Sequence, residues 1–236
     1  MPGGSRRIDL AMFCDHIAPM ITPIPRPSDT LGAAHDRVYR TLRTRIMHGE
    51  FRPGEALTLR GIGKMFDVSM TPAREAVRRL VADGGLNLSS SGRLSTPELS
   101  NERIEELASI RALIEPELAS RALPRAHMAL IERLQTINGS IAEMVAKHDD
   151  VGYIRTNLEF HRTLYLRAQA PAMLALTETV WLQLGPTMRA LYARLNRTEV
   201  PQNHRLIVAA LRAGDEPGLR LAVRSDVTQG LRMLAV

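Results

Sequence analysis

The chain has one cysteine, Cys14, in 236 residues, which excludes an intrachain disulfide and any cysteine-rich zinc module and fits a reducing cytoplasm. Nothing beside Cys14 activates it as a redox sensor. Aromatic residues are scarce at 4%. No window of about 18 residues is both apolar and free of charge, so no membrane-spanning helix is expected and no membrane partner. A secretory leader is excluded as well, because Asp9, Asp15 and His16 interrupt the apolar stretch that follows Arg6 and Arg7. Phosphate-binding glycine loops, dinucleotide fingerprints and Ser/His/Asp arrangements are also missing, which argues against an enzyme.

What is present is ordinary globular composition, 44% hydrophobic and 24% charged, in a chain long enough for two buried cores. The net charge of +6 is unevenly placed. Residues 31–97 hold eleven Lys and Arg against six Asp and Glu, whereas residues 1–30 balance and residues 98–236 carry an excess of one. A basic patch confined to one segment is what neutralising the phosphates of double-stranded DNA requires. A merely solvated basic face would give the same count.

Residues 1–32 lack a sustained period, and the prolines at 19, 23, 25 and 27 oppose a helix, so this stretch reads as a flexible arm. Residues 33–97 read as one domain. Val38, Leu42, Ile46 and Met47 predict an amphipathic helix stopped by Gly49, and a turn follows at residues 51–55. Two short helices are expected over 59–66 and 71–82, joined at Asp67 and Val68, with Ser69 or Thr71 as cap and Pro72 where a missing N–H is harmless. A hairpin ends the domain, with strands at 86–88 and 94–96 around a Ser-Ser-Ser-Gly-Arg turn. The order specifies a winged helix-turn-helix, in which the second helix of the pair enters the major groove. Residues 98–236 read as helical throughout, with a first segment from a cap at Ser100 to a break at Pro124, then segments near 125–148, 150–168, 171–195, 199–213 and 216–233. The expected fold class is therefore mainly α, a winged helix-turn-helix followed by an antiparallel bundle of about six helices.

Two stretches, Gly49-Glu50-Phe51-Arg52-Pro53-Gly54-Glu55-Ala56-Leu57 and Val68-Ser69-Met70-Thr71-Pro72-Ala73-Arg74-Glu75-Ala76-Val77-Arg78-Arg79-Leu80, resemble the DNA-binding domain of the GntR family of bacterial regulators. The helical half resembles the FCD sensor domain of the FadR subfamily through Arg111-Ala112-Leu113-Ile114-Glu115, Asn157-Leu158-Glu159-Phe160-His161, Asn203-His204 and Ala210-Leu211-Arg212-Ala213-Gly214-Asp215. The resemblance implies a homodimeric transcription regulator, in the commoner case a repressor, on a palindromic operator. It maps DNA contacts onto Arg60, Ser69, Thr71, Arg74, Ser91 and Gly92. Arg74 is the candidate for bidentate reading of guanine, against a phosphate contact or an internal salt bridge. Arg78 and Arg79 are assigned either to phosphates or to a solvated face. Where the family usually has Arg after Val-Ser, this chain has Met70, which implies an altered half-site or fewer base contacts.

The same resemblance implies one divalent metal per subunit, Zn, Ni, Mn or Fe, at Asn157, His161, His204 and Asp226. The family commonly uses one Asp and three His, so the carboxylate has changed place. Asn157 and His161, spaced i and i+4, share a helix face. Such a site would position a carboxylate effector, with Arg111, Arg162 and Tyr165 as effector-binding candidates and Arg155 in reserve. For Arg111 an ion pair with Glu115 is an equal alternative. Tyr165, Trp181 and Tyr192 are open to both pocket and core readings. Two rival classes remain: a ligand-independent architectural DNA binder, and a helical metalloenzyme, for which the required Glu-x-x-His pairs are missing.

Overall fold

The computed structural model describes residues 27–194 and 202–232. α1 (Pro27–Met47) turns Val38, Leu42, Ile46 and Met47 inward at i, i+4 and i+8 spacing. It begins inside the stretch read as an arm, because a proline in the first helical turn gives up a donor that has no partner there anyway. Residues 1–26 lie outside the described residues. α1 ends as expected at Gly49, whose φ of 70° allows Gly49 N to bond to Ile46 O and Glu50 N to Arg45 O, closing the free carbonyls.

α2 (Leu59–Phe66) is capped by Thr58, whose hydroxyl accepts from Gly61 N at 2.9 Å, and ends at Asp67 in the left-handed region. α3 (Met70–Ala82) buries Pro72, Ala73, Ala76, Val77 and Leu80 and exposes the opposite face. The sheet has three strands in the order β1 (Ala56–Leu57), β3 (Leu94–Ser95), β2 (Asn87–Leu88), with Leu94 opposite both Leu57 and Leu88. β1 has no counterpart in the sequence reading, since two residues are too few to show a period. The Thr96 hydroxyl ties the wing to the turn, donating to Arg52 O at 2.6 Å and accepting from Glu55 N at 3.0 Å.

Six helices follow: α4 (Asn101–Ala122), α5 (Met128–Lys147), α6 (Asp150–Tyr165), α7 (Pro171–Arg194), α8 (Gln202–Ala213) and α9 (Glu216–Arg232). Ser100 caps α4 and Asp149 caps α6, each accepting from the amide three residues on. The break expected at Pro201 lies outside the described residues. α4 packs along α9, α5 against α6, and α8 against α9.

α7 joins the two halves. Gly185 lies against Ile46 and Met47 at the end of α1, so close that a Cβ there would fall 2.8 Å from Met47 Cα and closer still to the Ile46 carbonyl. Leu182 packs on Gly85, Arg189 donates to Glu50 O at 2.7 Å, and Arg43 pairs with Glu178 at 3.4 Å. One hydrophobic cluster runs from Val38 through Leu80 and Leu182 to Val227, beside two smaller ones around Leu107 and Ile154. Among the described residues no helix is long and apolar enough to cross a membrane.

Candidate functional site

Two sites need separate description, an exposed basic face on the first domain and a buried polar centre in the bundle. On the first, Ser69 starts α3 without using its hydroxyl as a cap, so the hydroxyl and the first amides of the helix both face outward. Thr71, Arg74 and Arg78 lie exposed along the same helix, and Arg60 is exposed at the start of α2. Arg60 and Arg74 have no ion pair or hydrogen bond among the described residues. Arg78 leans on Glu75 at 3.5 Å but is three-quarters exposed. Arg79 behaves differently: it pairs with Asp36 and lies 3.9 Å over the Tyr39 ring, clamping α3 to α1. Its assignment to phosphate is corrected accordingly. At the wing tip Ser91 and Gly92 are exposed, Gly92 at φ 80° with open space around it. Arg93 is exposed beside them, a basic residue that sequence reasoning left out.

The second site draws on three helices. α6 supplies His161, α8 supplies His204 and α9 supplies Asp226, and one ligand atom from each lies within 4.8 Å of the others. Both histidines are fully buried. His161 Nε2 stands 2.9 Å from Asp226 Oδ2, and His204 Nε2 stands 3.7 Å from Oδ1, yet neither nitrogen makes a hydrogen bond of acceptable geometry.

The outer partners explain why. Tyr165 gives its only proton to Glu115 Oε2 at 2.9 Å, so the 3.1 Å contact between its oxygen and His161 Nδ1 requires Nδ1 to be the donor. His204 Nδ1 likewise meets an acceptor, Oδ1 of Asn138, at 3.1 Å. In neutral imidazoles both Nε2 atoms then carry lone pairs directed toward a carboxylate. Phe160, stacked on His204 with centroids 3.9 Å apart, fixes that ring. Burial, reinforced by the charge of His161 and opposed by Asp226, lowers the His204 pKa to about 4 and keeps it neutral near pH 7. Burial raises the Asp226 pKa, but the two imidazoles and Arg111 outweigh it, and the carboxyl sits below its usual value.

Asn157 lies one turn before His161 on the same face of α6, as the spacing implied, and is buried. The three effector candidates do not converge. Arg111 is 5% exposed and bonded through Nε and Nη2 to Glu115, so the ion-pair reading holds for it. Tyr165 lies between His161 and Glu115. Arg162 points elsewhere, exposed and paired with Glu178 at 2.9 Å. Tyr192 is buried in apolar company with Ile141, Val145 and Ile154. Glu115 is the residue whose weight the sequence concealed: it takes donors from Arg111, Tyr165 and Trp181. Its only signal was the i, i+4 spacing to Arg111. Asn138 gave no signal at all.

Comparison with known proteins identifies both halves. Residues 34–92 match the family described as bacterial regulatory proteins, gntR family, and residues 106–229 match the FCD domain. The chain is similar to the HTH-type transcriptional regulator McbR of Escherichia coli, 26% identical over 201 residues that cover 84% of this chain and 91% of the relative. It is also similar to the gluconate operon transcriptional repressor of Bacillus subtilis, 25% identical over 76% of each chain. The solved structure of Escherichia coli McbR/YncC superposes with a TM-score of 0.79 at 25% identity, covering 86% of this chain and 97% of that one. A GntR protein of Rhodococcus sp. RHA1 shares the fold, with a TM-score of 0.71 at 22% identity over 86% of this chain and 99% of that one. These families comprise transcription regulators and not enzymes, and this chain belongs to them: it is a GntR-family DNA-binding transcription regulator with an FCD domain as its C-terminal unit.

Proposed function

We propose that the chain is a homodimeric repressor that senses a small organic acid through a divalent metal held in the helical bundle. The observation that carries this reading is the meeting of His161 Nε2, His204 Nε2 and an Asp226 carboxylate, three acceptors when both imidazoles are neutral with their protons on Nδ1. Buried acceptors facing one another repel unless a cation lies among them. With neutral imidazoles the buried charges are Arg111, Glu115 and Asp226, which leave one negative charge for such a cation to balance. Two imidazoles and a carboxylate suit Zn, Ni, Mn or Fe, and Asn157, buried one turn before His161, would offer a carbonyl oxygen. A bound metal would supply a Lewis-acidic point for an effector carboxylate.

On the DNA side, Arg60, Ser69, Thr71 and Arg74 would contact the operator from the helix pair, Arg78 a phosphate, and Ser91 and Gly92 from the wing. Repression is supported by the similarity to the gluconate operon transcriptional repressor. The test is elemental analysis of the untagged protein beside a His161→Ala, His204→Ala double variant, with operator binding measured before and after chelation. Near-stoichiometric metal in the wild type alone supports the reading. Metal in neither protein, or equal metal in both, overturns it.

A further inference from the structure

A cleft of about 250 Å³ opens where the end of α1 meets α6 and α7. Met47 and His48 line it from the DNA-binding domain, and Arg155, Leu158, Arg162 and Trp181 from the bundle. Its charge is unbalanced. Arg155 has no ion pair or hydrogen bond among the described residues, and Arg162 uses only Nε on Glu178, leaving both terminal nitrogens free. The one carboxylate lining the cleft, Glu159, is drawn away by Arg133 at 2.7 Å instead of pairing with Arg155 four residues before it. The remaining lining is Thr163 and the apolar Met47, Leu158 and Trp181. Burial first and then the Arg155 charge lower the His48 pKa, against an opposing effect of Glu50.

We propose that this cleft binds a small organic anion, with a carboxylate on Arg155 and the free end of Arg162 and a short apolar body against Leu158, Met47 and Trp181. The volume suits a metabolite, being below the usual range for larger ligands. Planar guanidinium groups favour carboxylate oxygens. An anion seated here touches both domains, so any difference in its affinity between their arrangements changes operator affinity by the same factor. The site is separate from the histidine centre and does not rest on the metal reading.

The test uses the full-length, chelator-treated protein and benzoate as probe, followed by calorimetry and by the fluorescence of Trp181, the single tryptophan. Saturable binding is expected, weakened by about tenfold or more in Arg155→Gln, as loss of a charge-assisted hydrogen bond requires. It should persist within about twofold in the His161→Ala, His204→Ala variant, as independent sites do. Inorganic phosphate, which has charge but no apolar body, should bind more weakly than benzoate. Absence of saturation with benzoate, undiminished binding by Arg155→Gln, phosphate binding more tightly than benzoate, or loss of binding in the histidine variant would each overturn the proposal. The last would place the acid at the histidine centre.

Discussion

The indole N–H of Trp181 donates to Oε1 of Glu115 at 3.0 Å, and the next residue along α7, Leu182, packs on Gly85 of the DNA-binding domain. The buried network that orients His161 is therefore one residue away from the domain junction. Trp181→Phe keeps most of the apolar volume and removes only the donor, at a cost of about 1 to 2 kcal/mol in urea unfolding for a hydrogen bond to a charged acceptor. It should also reduce the change in operator affinity that chelation produces. An operator response identical to wild type would show that α7 transmits nothing through this bond.

Glu115 is a stronger test of the same network. Its removal strands the Arg111 guanidinium at 5% exposure, and breaking a buried pair on one side costs about 3 to 5 kcal/mol. Glu115→Leu should show that loss in denaturant unfolding. The double variant Arg111→Met, Glu115→Leu should recover most of it, because no unpaired charge remains. Equal instability of the single and double variants would mean that the pair matters through packing alone.

Most of the fold was legible because it depends on local signals. The apolar spacing of Val38, Leu42 and Ile46, the cap at Ser100 and the stops at Gly49 and Gly214 placed helices to within a few residues. β1 was invisible because its partner Leu94 is remote in sequence and its two residues carry no period. In the site, Asn157 and His161 were readable as one helix face, whereas the approach of His204 and Asp226 came only through resemblance. Asn138 could not be read at all, and Trp181 only as pocket or core, since their hydrogen bonds are set by bundle packing between residues 66 positions apart. Arg79 misled for a related reason: a basic residue on an exposed helix face has the same sequence pattern whether it meets a phosphate or Asp36 and Tyr39.

The pH dependence follows from His204, whose folded pKa of about 4 lies below the model-compound value of 6.5. Between those values the unfolded chain binds more protons than the folded one, so stability rises with pH. The contribution is fully present above about pH 6.5 and is lost as pH falls toward 4, amounting to at most about 3 kcal/mol for a buried group. Glu115 and Asp226, whose pKa values are depressed in the fold, continue the loss at lower pH. Urea unfolding of chelated protein at pH 7.5 and pH 5 should show the decline, and His204→Gln should flatten the part between pH 6.5 and 5. A wild-type profile level over that interval would contradict the buried neutral assignment.

Gly185 should tolerate no side chain. A Cβ there meets the Ile46 carbonyl and Met47 backbone, neither of which can rotate away as a flexible side chain could. Gly185→Ala must separate α7 from α1, an overpacking cost of about 1 to 3 kcal/mol. The expected readouts are a lowered Tm and faster proteolysis between the domains. An unchanged Tm would mean that α7 and α1 are not held together at this point.

Arg74 carries the sharpest expectation for DNA. It is exposed on the first turns of α3 and unpaired among the described residues, so its substitution leaves no buried partner behind. Arg74→Ala should therefore leave the Tm unchanged and weaken operator binding by about 1 to 3 kcal/mol, with less effect on unrelated DNA, as loss of a bidentate base contact requires. Arg78→Ala should weaken both DNAs alike and reduce the salt dependence of binding by about one phosphate. The two variants separate base reading from charge neutralisation. If Arg74→Ala behaves like Arg78→Ala, Arg74 holds a phosphate, and half-site reading falls to other residues of the helix pair and wing.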